Sequence, residues 1–180
     1  SRELTYLITE ENIELPRLQS MLLKGRGYSH AVLVSLKKRR KDFEKWRLGQ
    51  IHDTLSPGDR LLVRLAEEKT SDHIVPRPLP FPVIYEDEDL LIVNKPANMP
   101  IHPSQGNYEN LANAAAWYFC QKGESFVYRC INRLDRDTTG LLILAKHTYS
   151  AALLSRMVTD RKIHREYLAV TKGVPDVVAS

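Results

Sequence analysis

Short apolar runs, broken by acidic residues, Gly or Pro, outline the second half of the chain. Pro82-Val83-Ile84-Tyr85 and Leu90-Leu91-Ile92-Val93 read as strands. The acidic stretch Glu86-Asp87-Glu88-Asp89 between them predicts a hairpin, which Asn94-Lys95-Pro96 stops. Asn110 caps an Ala-rich helix expected over residues 111–121 and ending near Gly123. Gly140 opens Leu141-Leu142-Ile143-Leu144-Ala145, a run of buried-strand character. Residues 147–157 then take helical spacing, and Glu166-Tyr167-Leu168-Ala169-Val170 predicts a further strand.

The first half is patterned differently. Leu15, Leu18, Met21 and Leu22 recur at helical spacing, and Ser29 caps a second expected helix with Val32, Leu33 and Leu36 on one face. Ser56-Pro57-Gly58-Asp59 predicts a turn feeding a strand, Leu61-Leu62-Val63-Arg64-Leu65. The sharpest compositional change follows. A polar stretch from Ala66 leads into Pro76, Pro78, Pro80 and Pro82, whose alternation excludes a helix or central strand and favours a stiff, extended connector. The expected organisation is a small N-terminal unit over residues 1–70, a Pro-rich linker over 71–82 and a larger domain over 83–180. The class is α+β, with a mixed, largely antiparallel sheet flanked by helices.

At 180 residues, with 43% hydrophobic and 27% charged positions, the chain has the composition of an ordinary globular protein. No apolar run reaches the roughly 18–20 residues needed to cross a bilayer, and the first residues lack the layout of a secretory signal. A cytoplasmic location is expected. Cys120 and Cys130 are neither closely spaced nor near a His at ligand spacing, which favours two reduced thiols over a disulfide or a metal site.

Charge is unevenly distributed. Residues 1–80 carry 15 Lys and Arg against 11 Asp and Glu, residues 81–128 carry 2 against 6, and residues 129–180 carry 9 against 5. Two basic regions flank an acidic one, a layout suited to a polyanion, although a solvated basic surface would look the same. The densest basic stretch runs from Lys24 to Arg47 and includes Lys37, Lys38, Arg39, Arg40 and Lys41, with Phe43 and Trp46 interleaved. Two helices, a basic turn and a strand would make a phosphate-gripping module.

The segment richest in chemistry is Arg133-Leu134-Asp135-Arg136-Asp137-Thr138-Thr139-Gly140, where arginines and carboxylates alternate just before an apolar strand. A loop at a strand's mouth can present side chains to a cleft, and positive neighbours favour the anionic form of a carboxylate. Such a group can act as a nucleophile or general base. It can equally be half of a structural Asp–Arg pair, and the residues alone leave both open.

Residues 133–146, Arg-Leu-Asp-Arg-Asp-Thr-Thr-Gly-Leu-Leu-Ile-Leu-Ala-Lys, resemble the signature of RluA-type RNA pseudouridine synthases. Two more segments match in the expected order. The stretch from Asp87 to Pro103 looks like the family's opening strands, and Arg165-Glu166-Tyr167-Leu168-Ala169-Val170 looks like its second catalytic motif, usually written Lys-x-Tyr-Leu-Ala. The resemblance covers about residues 80–172. A weaker one links the N-terminal unit to the small RNA-binding module found in front of many members, but the Gly-containing hairpin usual there is replaced by Lys41-Asp42-Phe43-Glu44-Lys45-Trp46-Arg47.

The resemblance implies that the protein isomerises uridine in ribosomal or transfer RNA, as a monomer and with neither metal nor organic cofactor. The bond from sugar to base nitrogen is broken, the uracil turns, and a carbon–carbon bond forms. Asp135 would be the catalytic carboxylate, acting on a nucleotide swung out of the stack. Arg133 would fill the vacated space and contact RNA, and Tyr167 would stack on the uracil. Lys37, Lys38, Arg39, Arg40 and Arg136 are candidate RNA contacts. Asn94, Lys95, Pro96 and His102 are expected as scaffold near the cleft, with Asp137, Thr138 and Gly140 shaping the loop.

Two departures stand out. Asn132 occupies a position where most relatives have His. The family also continues beyond the point matching Ser180, with a Lys or Arg that pairs with the catalytic Asp, so the 180 residues are expected to be inactive alone. A catalytically inactive RNA-binding relative is the alternative. A glycoside hydrolase using Asp135 and Asp137, which would need two carboxylates about 5–10 Å apart, is set aside by the motif match.

Overall fold

The computed structural model describes residues 2–10, 33–39, 45–50, 53–65, 70–71 and 73–174. They form two antiparallel sheets and two helices. The first sheet contains β1 (Glu3–Leu7), β2 (Leu33–Arg39), β3 (Arg47–Leu48) and β4 (Arg60–Leu65), in the order β1-β4-β2-β3. Strand alternation gives this sheet two unlike faces. Leu61, Val63 and Leu65 of β4 are buried, while Arg60 and Arg64 point outward. The predicted turn before β4 forms around Asp59, whose carboxylate accepts from the Ser56 amide at 3.0 Å.

The helix expected over residues 15–22 lies outside the described residues. The second expected helix, with Leu33 and Leu36 on one face, is instead β2, and the basic run that was to be a turn continues that strand through Arg39. The reason is visible in the register. Leu33 pairs with Leu65 and Ser35 with Arg64, so a bulge intervenes between Leu33 and Ser35. An extra residue breaks the two-residue alternation, and the broken pattern imitates helical spacing.

The second sheet, in the order β5-β6-β7, consists of β5 (Val83–Glu86), β6 (Leu90–Lys95) and β7 (Gly140–Ala145). The predicted hairpin between β5 and β6 closes on Asp87, whose carboxylate accepts from the Asp89 and Leu90 amides. Helix α1 (Leu111–Lys122) starts and ends where the sequence predicts. Asn110 and Asn113 cap each other reciprocally, and Gly123 takes the left-handed conformation at φ +68°. Its small residues Ala112, Ala115 and Ala116, with Leu111 and Phe119, let the helix lie close on Leu91, Val93, Leu142 and Leu144. That layer is the core.

The Pro-rich stretch is extended, and it packs against this core. Ile74 is buried in it, the Asn113 amide donates to the Val75 carbonyl, and the Arg77 amide donates to the Asn113 carbonyl. Helix α2 (Thr148–Thr159) is capped by His147, whose Nδ1 accepts from the Ser150 amide. The other ring nitrogen of His147 lies 2.7 Å from Asp89, which also takes the guanidinium of Arg2. The first strand of the chain is thereby tied to the hairpin of the second sheet.

The strand expected over residues 166–170 does not form. These residues carry no ladder hydrogen bonds, and Leu168 and Val170 are fully exposed. A strand exists only through its neighbours, and none lies beside this segment among the described residues. No helix among them is long and apolar enough to cross a membrane.

Candidate active site

The segment before β7 is held against that strand as an extra, irregular partner. The Ile131 amide donates to the Ile143 carbonyl and the Ala145 amide to the Arg129 carbonyl, with a bridge between Cys130 and Leu144. Asn132 extends this pairing with its side chain. Its amide nitrogen donates to the Leu141 carbonyl at 3.0 Å, and its oxygen accepts from the Ile143 amide at 2.9 Å. One side chain thus imitates a peptide group. Burial pushes the Cys130 thiol up to about 11, so it stays protonated, and both cysteines are free.

Beyond Asn132 the backbone alternates outward and inward. Arg133 is exposed, Leu134 turns in against the core, and Asp135 is exposed. A turn follows, closed by the Thr138 amide donating to the Asp135 carbonyl at 3.1 Å. Gly140 starts β7 at φ +142°, a conformation that side-chain-bearing residues avoid, and a Cβ there would lie 3.5 Å from Leu134. Leu134 is therefore the inward anchor that turns the two flanking charged residues to solvent.

The turn is clamped from below by Lys95. This residue ends β6 on the same face as Leu91 and Val93 and is 0% exposed. Its ammonium donates to the carbonyls of Pro96 and Arg136, each at 2.8 Å. Burial pulls the Lys95 pKa down, and the charges of Asp137 and Asp135 pull it back up. A buried cation thus sits beneath a turn carrying two exposed carboxylates. The clamp is doubled at the surface, where the Met99 amide donates to the Arg136 carbonyl and the Arg136 guanidinium grips the Asn98 side chain at 2.7 and 3.0 Å. Asn98 itself is left-handed, at φ +59°.

An open groove of about 330 Å³ runs beside the turn, between the outer face of the second sheet and residues 163–167. Leu134 and Thr139, Ile92 and Leu141 of the sheet, and Tyr167 line it. Tyr167 is 60% exposed. Asp135 is not among the lining residues and stands on the solvent side of the turn. Arg133 is likewise exposed outside the groove. Arg136, expected as a phosphate contact, spends its guanidinium on Asn98 while remaining exposed. His102 is exposed and meets the edge of Tyr128 at 6.4 Å.

Of the N-terminal candidates, Lys37 and Arg39 sit at the end of β2, with Arg39 over the Trp46 ring at 5.3 Å. Lys38 is placed opposite Leu61 in the register, and Arg40 lies outside the described residues. Lys95, expected as scaffold near the cleft, is the residue that holds the turn from beneath. Its signal was available: counted along β6, it falls on the buried side. Asn98 offered no comparable sign.

The chain from residue 89 to 178 matches the family model described as RNA pseudouridylate synthase. It is 40% identical over 110 residues to the ribosomal large subunit pseudouridine synthase D of Zymomonas mobilis, covering 58% of this chain and 35% of that protein. It is 34% identical over 117 residues to the uncharacterized RNA pseudouridine synthase YhcT of Bacillus subtilis, covering 64% and 38%. A 30% identical stretch of 169 residues links it to an uncharacterized RNA pseudouridine synthase of Mycoplasma pneumoniae, covering 92% of this chain and 49% of that protein. The chain therefore spans about a third to a half of the curated relatives it matches. With the loop, its supporting lysine and the matched residues converging on one region, the chain belongs to the RNA pseudouridylate synthase family, in its RluA-type branch.

Proposed function

We propose that the protein isomerises specific uridines in structured RNA to pseudouridine, with Asp135 as the catalytic carboxylate. The observation that carries this reading is the geometry of the 133–140 loop. A carboxylate is held in the open on a turn whose backbone is fixed by Lys95, next to a groove of about 330 Å³. An enzyme acting on a stacked base must receive it unstacked, and an exposed carboxylate beside a groove is accessible to such a nucleotide. Tyr167, in the groove wall, is the aromatic surface on which the uracil stacks, and Arg133 reaches the RNA near the carboxylate. The name of the Zymomonas relative favours ribosomal over transfer RNA as substrate. Residues 1–70 act as a separate RNA-contacting unit, and the docked Pro-rich stretch holds it to the catalytic part.

The test is Asp135→Asn in the whole protein, with pseudouridine mapped in cellular RNA. Because the side chain is exposed, the variant folds normally. The expected loss of product formation is at least about 100-fold, the lower end of what a positioned acid–base group contributes. An Asp135→Asn protein as fast as the parent would show the assignment to be wrong. If deleting the gene removes no pseudouridine from any RNA, the chain is a non-catalytic RNA-binding relative.

A further inference from the structure

The loop that follows β6 and the loop that precedes β7 leave the second sheet at the same end. Lys95 and Gly140 face each other in the last rung of the β6–β7 ladder, so residues 96–99 and 133–139 extend from that one end. Each loop sends an apolar residue inward: Met99 is buried, and Leu134 packs against the same core. Beyond these anchors two exposed side chains meet, those of Asn98 and Arg136. Nε and Nη2 of Arg136 both donate to the Asn98 side-chain oxygen, at 3.0 and 2.7 Å.

The backbone of Asn98 is left-handed, at φ +59°, a conformation that Gly adopts without steric cost and that Asn tolerates. The backbone alone would therefore accept Gly. What Asn adds is an acceptor, and that acceptor is spent on Arg136. The carbonyl of Arg136 already accepts from Lys95 and from the Met99 amide, so with its guanidinium gripped this residue is fixed at both ends. Asp135 stands between it and the inward anchor Leu134. Consecutive Cα atoms are about 3.8 Å apart, and a residue whose two neighbours are both tied down has little room to move. We infer that Asn98 is a positioning residue for Asp135, acting through Arg136, and that Arg136 serves the turn rather than an RNA phosphate. The enzymatic consequence rests on the proposed function, whereas the grip itself can be tested without it.

The tests use the whole protein. Asn98→Gly keeps the left-handed backbone and deletes the acceptor. Hydrogen exchange of the Thr138 amide, which donates to the Asp135 carbonyl across the turn, should quicken. The melting temperature should stay close to the parent's, because the lost contact is exposed. With ribosomal RNA from cells lacking the gene as substrate, kcat is expected to fall about 10-fold with KM unchanged, within the ~100-fold that a displacement of about 1 Å can cost. Arg136→Gln should have the same effects, and the double variant should be no worse than either single one, as for two halves of one contact. Several results would overturn the inference: a Thr138 amide that exchanges as in the parent, an Asn98→Gly protein with the parent's kcat, or losses that add in the double variant. So would a fall of about 0.7 in the slope of log RNA affinity against log salt with Arg136→Gln, the mark of one lost phosphate contact on a single strand. The two readings can fail separately. If Asp135→Asn abolishes turnover and Asn98→Gly leaves it intact, only the positioning role falls. If neither the parent nor any variant makes pseudouridine, yet the Thr138 amide exchanges faster in Asn98→Gly, the grip stands and the enzymatic reading falls.

Discussion

Of the three segments of this chain that carry family motifs, two are built in opposite ways. Residues 129–140 are fixed from two sides, by β7 through backbone pairing and the Asn132 side chain, and by Lys95 beneath the turn. Residues 164–170 have an exposed Tyr167 and fully exposed Leu168 and Val170, with no ladder. The difference shows what specifies position. A loop whose backbone carbonyls and amides are taken up by such hydrogen bonds is held even at the surface, because stripping a buried group of its partner is costly. Apolar alternation specifies only a face, and needs a neighbouring strand before it becomes a place.

The contrast can be tested by removing its supports in turn. Lys95→Met keeps the side chain's bulk but strips the Arg136 and Pro96 carbonyls of their buried charged donor. It should destabilise the protein by about 2–4 kcal/mol in urea unfolding. A variant as stable as the parent would mean that the turn is not held from below. Asn132→Ala removes two hydrogen bonds, one partly buried and one exposed. A loss of about 1–2 kcal/mol is expected and, under the proposed function, a larger proportional fall in isomerisation than in RNA binding, since it is the loop carrying Asp135 that is displaced. At the weak end, Tyr167→Ala should change stability by less than about 0.5 kcal/mol, as for an exposed side chain without special contacts. Its effect should appear in turnover instead. A large destabilisation by this variant would show that the 164–170 segment is anchored after all.

The sequence by itself was enough for the parts of this molecule governed by neighbours in the chain. The 86–89 turn, the Asn110 and Gly123 caps of α1, the apolar run of β7 and the motif loop at residues 133–140 were all legible. Their causes lie within a few residues: a capping side chain, a left-handed glycine, an Asp closing its own turn. The burial of Lys95 was legible too, but only once β6 was counted as a strand with one face inward.

Tertiary structure alone decided the rest. Whether Leu33–Arg39 is helix or strand depended on pairing with β4, some 25 residues on, and on a bulge that disguised the alternation. Whether Glu166-Tyr167-Leu168-Ala169-Val170 is a strand depended on a partner strand. Arg39 meets Arg60 across the β2–β4 pair and covers the Trp46 ring just ahead of β3, and the grip of Arg136 on Asn98 joins two loops. Local dihedral preferences and caps act along the chain, whereas ladders, clamps and charge rows are contacts between distant positions, and no single segment carries the information that brings them together.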